Sequence, residues 1–462
     1  MLDEVPDTLD ETYERVLKEI NKAKREHARR LLQCITVAVR PLHIAELAEV
    51  LAVDFGTTSG GGTSTLNPDW RWEDQEQAVL STCSSLITVV GEDGDQVVHF
   101  SHFSVKEFLT SPRLADSSPD VSGFHIPLGP AHLTLARTCL GTLLRLDDPV
   151  DESNVKDRFP LCRYAAEHWV KHAQFEDVSA QLREEMEILF DPDGPYFSAW
   201  VRVHNIDGTY TAGQSGLNFY THFYSYASAR APLYYAALCG FHNLTKHLID
   251  NCSQEVNVRG GHCVSPLLAA LLNGHFKAAE LLYERGADIH IPGDGRRTLL
   301  HPSSITGQIE ITQWLLCHDA DPNVQGDDGW TPLHLAAGNG WLETVRILLQ
   351  HNADINMRNE DYQTPLHRAS YHGYPDVTRL LLEHGSEINA RGKDGSTPLH
   401  LVSREGNVRG QRPPPNKGKF EVARILIEHG ADVRAEDDKG KTPFQVASGS
   451  DMVKLLSDLG AK

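Results

Sequence analysis

The stretch GWTPLHLAAGNGWLETVRILLQHNADIN (residues 329–356) is followed 33 residues later by YQTPLHRASYHGYPDVTRLLLEHGSEIN (362–389). Both segments contain TPLH, a glycine eight residues after its proline, and an apolar run with helical spacing. Self-similarity at a fixed period is the sequence signature of a repeat architecture. We therefore predict that this part of the chain folds as stacked copies of one helical repeat.

The proline of TPLH gives the register of the other copies. Successive positions are 33 or 34 residues apart, except that the last follows a 12-residue insertion at 408–419. The aligned positions are Pro232, Pro266, Leu299, Pro332, Pro365, Pro398 and Pro443. The sequence thus predicts seven repeats.

Each recurring residue suits a helix–turn–helix unit. Threonine caps a helix and proline fits its first turn, where a missing N–H costs nothing. A left-handed glycine or asparagine ends the second helix. One such unit cannot bury its apolar face alone, whereas a stack can. The glycines expected to end the first helices are Gly274, Gly307, Gly340, Gly373 and Gly406.

The period, TPLHLAA and GADIN resemble ankyrin repeats over about residues 230–462. The resemblance implies a curved stack of helix pairs with β-turn fingers, which holds protein partners on its concave face. Repeat three, RTLLHPSSITGQ, lacks the proline and the alanine pair, so we expect a looser inner helix. The last repeat is about three residues short, as an end cap would be.

The N-terminal region has the pattern of helices followed by a β-hairpin. Thr8 and Glu11 form a capping-box sequence. A valine-rich pair of runs flanks a GEDGD turn, which favours a hairpin. We predict helices over 6–20, 23–39, 41–53, 74–83 and 105–109, a flexible loop over 55–68 and a hairpin over 85–100. This order is a winged-helix topology.

PDTLDETYERVL, RPLHIAELAEVLAVDF and HFSHFSVKEFL resemble the segment after the NACHT domain of fungal NLR-like proteins, which are signalling NTPases of the STAND type. The resemblance implies a NACHT domain with its P-loop upstream of Met1, absent from this chain. It also implies that His102 contacts a nucleotide phosphate supplied by that domain. The alternative is a histidine packed under the hairpin.

The predicted protein is mostly α. A small winged-helix (α+β) domain spans 1–113, a helical connector and cap span 114–229, and an ankyrin-repeat solenoid spans 230–462. In the connector, 130–144 and 181–190 are expected to be helices, and 191–216 a turn-rich cap on the first repeat. The insertion at 408–419 is basic and proline-rich, which predicts a mobile loop.

Charge and composition exclude several classes of partner and indicate a compartment. A net charge of −20 argues against nucleic acid and anionic lipid, and no apolar run is long enough for a membrane span. The N-terminus lacks the pattern of a signal peptide. Eight scattered cysteines without a CxxC pair indicate reduced thiols, so we expect a cytoplasmic protein, with the nucleus as alternative.

Three patterns were considered as chemical sites. Gly440-Lys441-Thr442 ends like a P-loop, but the glycine required five positions earlier is Ala435. His168 and His172 share a helical face, which is half of a zinc site without a third ligand. No GxSxG nucleophile elbow occurs. The sequence therefore predicts no catalytic residue, cofactor or metal.

The leading functional prediction is a non-enzymatic interaction scaffold or sensor. The alternative is the regulatory part of a split or truncated STAND switch that acts with a separate NACHT domain. Finger and inner-helix positions of the three clearest repeats are expected to contact the partner. These are Asp327, Asp328, Trp330, Asn339, Asp361, Gln363, Tyr371, His372, Lys393, Asp394, Arg404 and Glu405.

Overall fold

The computed structural model describes residues 8–54, 65–66, 75–83, 85–91, 96–146, 158–204, 231–260, 265–290, 296–404 and 416–458. The chain divides into two compact bodies. The N-terminal body comprises Met1–Thr211 and Tyr226–Arg285, and the C-terminal body comprises Ala212–Ser225 and Gly286–Lys462. The protein is mostly helical with a small three-stranded sheet, which confirms the predicted fold class.

The N-terminal body begins with a helical cluster. Thr8 caps the first helix, since its Oγ1 accepts the N–H of Glu11 at 3.2 Å, as the sequence predicts. A short 3₁₀ helix, Lys22–Lys24, precedes the second α-helix. The helices are α1 (Leu9–Glu19), α2 (Arg25–Val37), α3 (Ile44–Leu51), α4 (Gln75–Cys83) and α5 (Phe103–Leu109).

The sheet joins β4 (Ile87–Val90) and β5 (Val97–Phe100) as the predicted antiparallel hairpin. A third strand, β1 (Leu42–His43), pairs with β5 on its other side. The helix predicted over 41–53 is wrong at both ends. Buried Leu42 pairs with Val98, so the helix begins only at Ile44, and it ends at Leu51 because Val53 belongs to a strand.

A two-residue pairing corrects the loop predicted over 55–68. Strand β2 (Val53–Asp54) pairs antiparallel with β3 (Thr65–Leu66). The loop prediction is wrong at those two residues of β3. The other residues of that loop lie outside the described residues.

The connector is a second helical layer. The long helix α8 packs against α2 and α9. The predicted helices at 130–144 and 181–190 are present, but Tyr196–Val203 is a helix where the sequence predicts turns. The connector helices are α6 (Pro112–Ala115), α7 (Pro119–Ser122), α8 (Leu128–Leu143), α9 (Cys162–Ala173), α10 (Val178–Gln181), α11 (Arg183–Leu189) and α12 (Tyr196–Val203).

Aromatic packing fills this layer. The rings of Trp169 and Trp200 lie edge to face at 5.3 Å, and Phe190 contacts both. The indole N–H of Trp200 donates to the Ala166 carbonyl at 3.1 Å, so its buried polar atom is satisfied. Among the described helices, none combines the length and apolar character that a bilayer span requires.

Helix pairs follow at the seven predicted positions. Two pairs lie in the N-terminal body: α13 (Pro232–Leu238) with α14 (His242–Asp250), and α15 (Pro266–Leu272) with α16 (Phe276–Glu284). Five lie in the C-terminal body: α17 (Leu300–Thr306) with α18 (Ile309–Cys317), α19 (Pro332–Asn339) with α20 (Leu342–Gln350), α21 (Pro365–His372) with α22 (Pro375–Glu383), α23 (Pro398–Ser403) with α24 (Asn416–Glu428), and α25 (Pro443–Val446) with α26 (Ser450–Asp458).

The turn residues behave largely as predicted. Gly307, Gly340 and Gly373 adopt left-handed φ angles of 71°, 78° and 76° at the ends of their helices. Gly406 lies outside the described residues. The inner helix of repeat three forms but has no side-chain cap at Leu299, and the last inner helix is only four residues long.

A histidine clamp joins the first helix of four of the five repeats in the C-terminal body to the following finger. Nε2 of the TPLH-type histidine contacts a backbone carbonyl of the next repeat, and Nδ1 contacts the cap threonine of its own repeat. The Nε2 contacts run from His301 to Trp330, His334 to Gln363, His367 to Ser396 and His400 to Lys441, at 3.1, 2.9, 3.2 and 2.9 Å.

The geometry of the clamp fixes its protonation state. A carbonyl only accepts, so Nε2 carries the hydrogen, and Nδ1 of His334 accepts the Thr331 N–H at 3.3 Å. Burial lowers the pKa of His301, His334 and His367 to about 4 and also lowers the pKa of His400. The clamp imidazoles are therefore neutral. A second proton, on Nδ1, would lie against the threonine N–H that now donates to this nitrogen.

Because the folded pKa lies below the ordinary value of 6.5, the unfolded chain binds more protons in this window. Stability is intact above pH 6.5 and falls as the pH drops toward 4. We expect each clamp with a pKa near 4 to cost about 2 kcal/mol of unfolding free energy between pH 7 and 5.

His334→Gln tests this expectation with a side chain that the protein already uses. In the last repeat Gln445 fills the same position, and its Oε1 accepts the Thr442 N–H at 3.1 Å. The variant should lose about 1 kcal/mol at pH 7, from the bond to the Gln363 carbonyl. Urea unfolding should show a pH 7-to-5 loss smaller than wild type by about 2 kcal/mol. An unchanged loss would contradict the clamp.

Candidate protein-interaction face

The finger face of the C-terminal body consists of the finger turns 325–330, 358–363, 391–396 and 437–442 with the inner helices α19, α21 and α23. Short polar side chains shape the turns. Asn359 Oδ1 accepts the N–H groups of Asp361 and Gln363 at 3.1 and 2.8 Å. Asp437 does the same in the last finger for Lys439 and Lys441, at 2.9 Å each. The turns are therefore built locally.

Backbone hydrogen bonds tie adjacent fingers together. The N–H of one finger donates to the carbonyl of the finger before it, at equivalent positions along the row. The bonds are Glu360 to Asp328 at 3.3 Å, Lys393 to Asp361 at 2.7 Å and Asp438 to Asp394 at 3.1 Å. With the histidine clamps, they fix the spacing of the fingers.

Within the four finger turns of this face, one residue other than glycine has a left-handed backbone, as Arg296 does at the equivalent position of the repeat before them. At the turn position before the clamp carbonyl, Gly329, Gly395 and Gly440 have φ between 71° and 75°. Tyr362 takes the same position with φ 56°, and its side chain is 54% exposed. A bulky residue there is strained and makes little packing in return. Tyr362 was not among the predicted contacts, although it stands where DGWT and DGST have glycine in the aligned repeats.

An arginine lies on an aromatic ring at the centre of the face. The Arg368 Cζ sits 4.4 Å from the centroid of Trp330. Its side chain crosses Gly338, where an added Cβ would lie 3.4 Å from Nε. Nε is buried without a hydrogen-bond partner, and burial lowers the pKa of the guanidinium below its ordinary value. Trp330 was predicted as a partner contact, but Arg368 was not.

A second cation–aromatic pair lies beside the first. Lys419 Nζ is 5.2 Å from the Tyr371 ring and donates to the Arg404 carbonyl at 3.1 Å. Burial, together with the charges of Arg368 and Lys419, lowers the pKa of His372 to about 4. The loop predicted over 408–419 is wrong from Asn416 onward, since α24 begins there, and Lys419 is buried.

Arg404 bridges two fingers. It contacts Asp394 at 3.3 Å and Asp437 at 3.2 Å. Burial would raise the pKa of Asp394, but hydrogen bonds from Ser396 and Arg404 outweigh it and lower that pKa. Burial would also raise the pKa of Asp437. Hydrogen bonds from the N–H groups of Lys441 and Lys439 outweigh this effect and lower that pKa. Arg404 is thus engaged within the protein.

The other predicted contacts are spread along the face. Asp361 and Lys393 are exposed, and Asp327 lines a polar cavity of about 510 Å³ with Arg296 and Arg358. Asp328 pairs with Arg297 at 3.4 Å. Asn339 donates to the Leu335 carbonyl of its own helix, Gln363 supplies a clamp carbonyl, and Glu405 lies outside the described residues. The structure brings Trp330, Tyr371 and His372 together around Arg368.

The histidines of the N-terminal body take local roles. His102 is exposed and caps α5, accepting the Ser104 N–H at 3.3 Å, so its predicted packing under the hairpin is wrong. His172 is fully buried between Tyr164 and His132, each 2.9 Å away, and its pKa is lowered by burial to about 3. Within the described ranges, no cluster of three or more His, Cys, Asp or Glu could hold a metal.

The Gly440-Lys441-Thr442 tripeptide is part of a finger. Thr442 Oγ1 accepts the Gln445 N–H at 3.4 Å and caps α25, while the Lys441 carbonyl receives the clamp from His400. The tripeptide therefore forms the finger and helix start of the last repeat.

Models of known families match two regions of the chain. Residues 267–316, 299–392 and 394–438 match models of ankyrin repeats. Residues 13–119 match the winged helix domain described for GPI inositol-deacylase. The chain therefore contains ankyrin repeats and a winged helix domain of that type.

Two named proteins are similar to parts of the chain. Azaphilone pigments biosynthesis cluster protein L of Monascus ruber is 29% identical over 304 residues, which are 62% of this chain and 61% of that protein. Alpha-latrocrustotoxin-Lt1a of Latrodectus tredecimguttatus is 35% identical over 63 residues, 14% of this chain and 4% of the toxin. The match thus spans about three fifths of the first relative and a small part of the second.

At position 362 a glycine should make the protein more stable than an alanine does. Tyr362→Gly removes the strain of the left-handed backbone, whereas the matched control Tyr362→Ala removes the ring but keeps a Cβ. In urea denaturation, we expect the free energy of unfolding of the glycine variant to be about 1 kcal/mol higher than that of the alanine variant. An alanine variant as stable as the glycine variant would show that the position is unstrained.

Proposed function

We propose that the chain is a non-enzymatic scaffold or sensor that holds a protein partner on the finger face of its C-terminal body. Ankyrin repeats indicate protein–protein interaction, and such domains are typically non-catalytic. The observation that carries the choice of face is Tyr362, an exposed aromatic side chain kept in a strained backbone conformation. Strained backbone positions cluster at functional sites, and the exposed ring adds little packing that would explain the residue otherwise.

The chemistry of the face supports the same choice. Trp330, Tyr362 and Tyr371 are exposed or half-buried and lie among charged side chains. Tyrosine, tryptophan and arginine are the residues that most often dominate the binding energy of protein interfaces. The finger ladder and the clamps hold these groups in place before binding, which lowers the entropy cost of association.

A second candidate is the regulatory part of a STAND switch that docks onto a separate NACHT domain. The winged helix match and the resemblance to fungal NLR-like proteins support it. The observation that favours it is the exposed pair at the start of α5, where His102 is exposed and Phe103 is 71% exposed. A large exposed aromatic residue beside a polar side chain suits a docking surface.

We propose a cytoplasmic location, with the nucleus as alternative. The described cysteines are all free thiols, as a reducing compartment allows. The net charge of −20 disfavours nucleic acid and anionic lipid as partners.

Partner capture from a fungal extract tests both candidates at once. Trp330→Ala, Tyr362→Ala and Tyr371→Ala should each lower retention of the finger-face partner by roughly tenfold or more. Arg346→Ala is the matched control, since Arg346 is exposed on the outer helix α20 and pairs with Glu343 there. Mass spectrometry identifies the retained proteins.

Retention that is equal in all three finger variants and wild type would overturn the finger face. Capture of a NACHT protein that is lost in Phe103→Ser but kept in the finger variants would establish the second candidate. A NACHT protein absent from every eluate would count against it.

A further inference from the structure

We propose that Trp330 and Arg368 form a carboxylate-recognition site that takes one Asp or Glu side chain from an extended segment of the protein partner. This inference rests on the proposed function and names the chemistry of the partner at the centre of the finger face.

Arg368 differs from the other arginines of this face in having no acid beside it. Among the described residues, those arginines pair with carboxylates at 3.1 to 3.4 Å: Arg297 with Asp328, Arg358 with Glu387, Arg391 with Asp438, and Arg404 with Asp394 and Asp437. No such pair joins Arg368 to any described residue, and its Nε is buried without a partner. The guanidinium is an uncompensated cation.

An unpaired cation in a partly buried position costs free energy that a ligand can return. Desolvated charges are stabilised only by pairing and hydrogen bonding. Of the three guanidinium nitrogens only Nε is buried without a partner, so an incoming carboxylate would approach Nη1 and Nη2. These two nitrogens match a carboxylate in plane and spacing, so one incoming side chain can accept two N–H groups. The site is therefore unfavourable when empty and favours an acidic group when filled.

The surroundings orient the fork. The Trp330 ring lies 4.4 Å from Cζ, and the arginine side chain packs over Gly338 of α19. A guanidinium stacked on a ring loses less freedom on binding than a mobile side chain. The aromatic ring also offers an apolar contact to the stem of the bound residue.

Charges around the site limit the ligand to one acid. Lys419, over the Tyr371 ring near neutral His372, is buried and donates to the Arg404 carbonyl at 3.1 Å, so it is already engaged within the protein. The fingers of repeats four and five carry exposed Asp327 and Asp361, which would repel a run of acidic residues. An isolated carboxylate flanked by uncharged residues fits this pattern, and a polyacidic segment does not.

Selection of random peptides displayed on phage tests the inference. The full chain and its Arg368→Met variant are each panned against a library of 12-residue peptides, and the retained peptides are sequenced. Methionine keeps the contact with Trp330 and removes the fork, so the variant should fold at least as stably as wild type. Thermal unfolding verifies this before panning.

The wild-type chain should enrich peptides with one acidic position, and Arg368→Met should lose that enrichment. In a synthetic copy of the best peptide, exchanging the acid for its amide should weaken binding about tenfold to wild type and leave binding to Arg368→Met unchanged. Arg368→Lys should restore only part of the affinity, because it lacks the fork.

Two failures are distinguishable. Peptides that require Trp330 and Tyr362 but show no acidic position, or the same acid in both selections, would overturn this inference and leave the proposed function standing. No enrichment at all by the wild-type chain would overturn both.

Discussion

In four of the five repeats of the C-terminal body, one imidazole connects three groups: the threonine before its own helix, the helix itself and the finger of the next repeat. Nε2–H of His334 donates to the Gln363 carbonyl at 2.9 Å, and the same contact recurs at His301, His367 and His400. The fingers have few apolar contacts of their own, so their position depends on this bond and on the backbone ladder. The helices could stack without this bond, but the fingers would no longer be held at a fixed position relative to the helices.

The clamp also explains how one scaffold can present different surfaces. Its acceptor is a backbone carbonyl, which every residue has. The side chains at those acceptor residues, Trp330, Gln363, Ser396 and Lys441, are therefore free to differ from repeat to repeat. The same residue thus provides the backbone carbonyl that recurs in each clamp and a side chain that differs between repeats. An aromatic anchor at Trp330 thus costs the stack nothing, whereas Tyr362 carries a backbone penalty.

Sequence reasoning predicted what depends on local pattern. TPLH gave the helix starts, caps and register, because each residue acts within four positions of its neighbours. It missed β1, β2 and β3, since two-residue strands carry no periodic signal and form only where a distant strand offers a partner.

The candidate site was predicted in part for a related reason. Trp330, Tyr371 and His372 could be picked from variable positions in the repeat. The environment of Arg368 comes from more than its own repeat: its side chain packs over Gly338 and stacks on the ring of Trp330, both in the repeat before it. Its significance depends on packing between repeats, which single-repeat patterns do not encode. His102 was misplaced because helix capping and packing under a hairpin look alike in sequence.

The most direct test of the clamp is nuclear magnetic resonance of the imidazole nitrogens across a pH titration. The nitrogen shifts of His301, His334 and His367 should report the neutral form with hydrogen on Nε2 at pH 7 and should change little down to pH 5. An imidazole that carries its hydrogen on Nδ1, or that titrates near pH 6.5, would contradict the account.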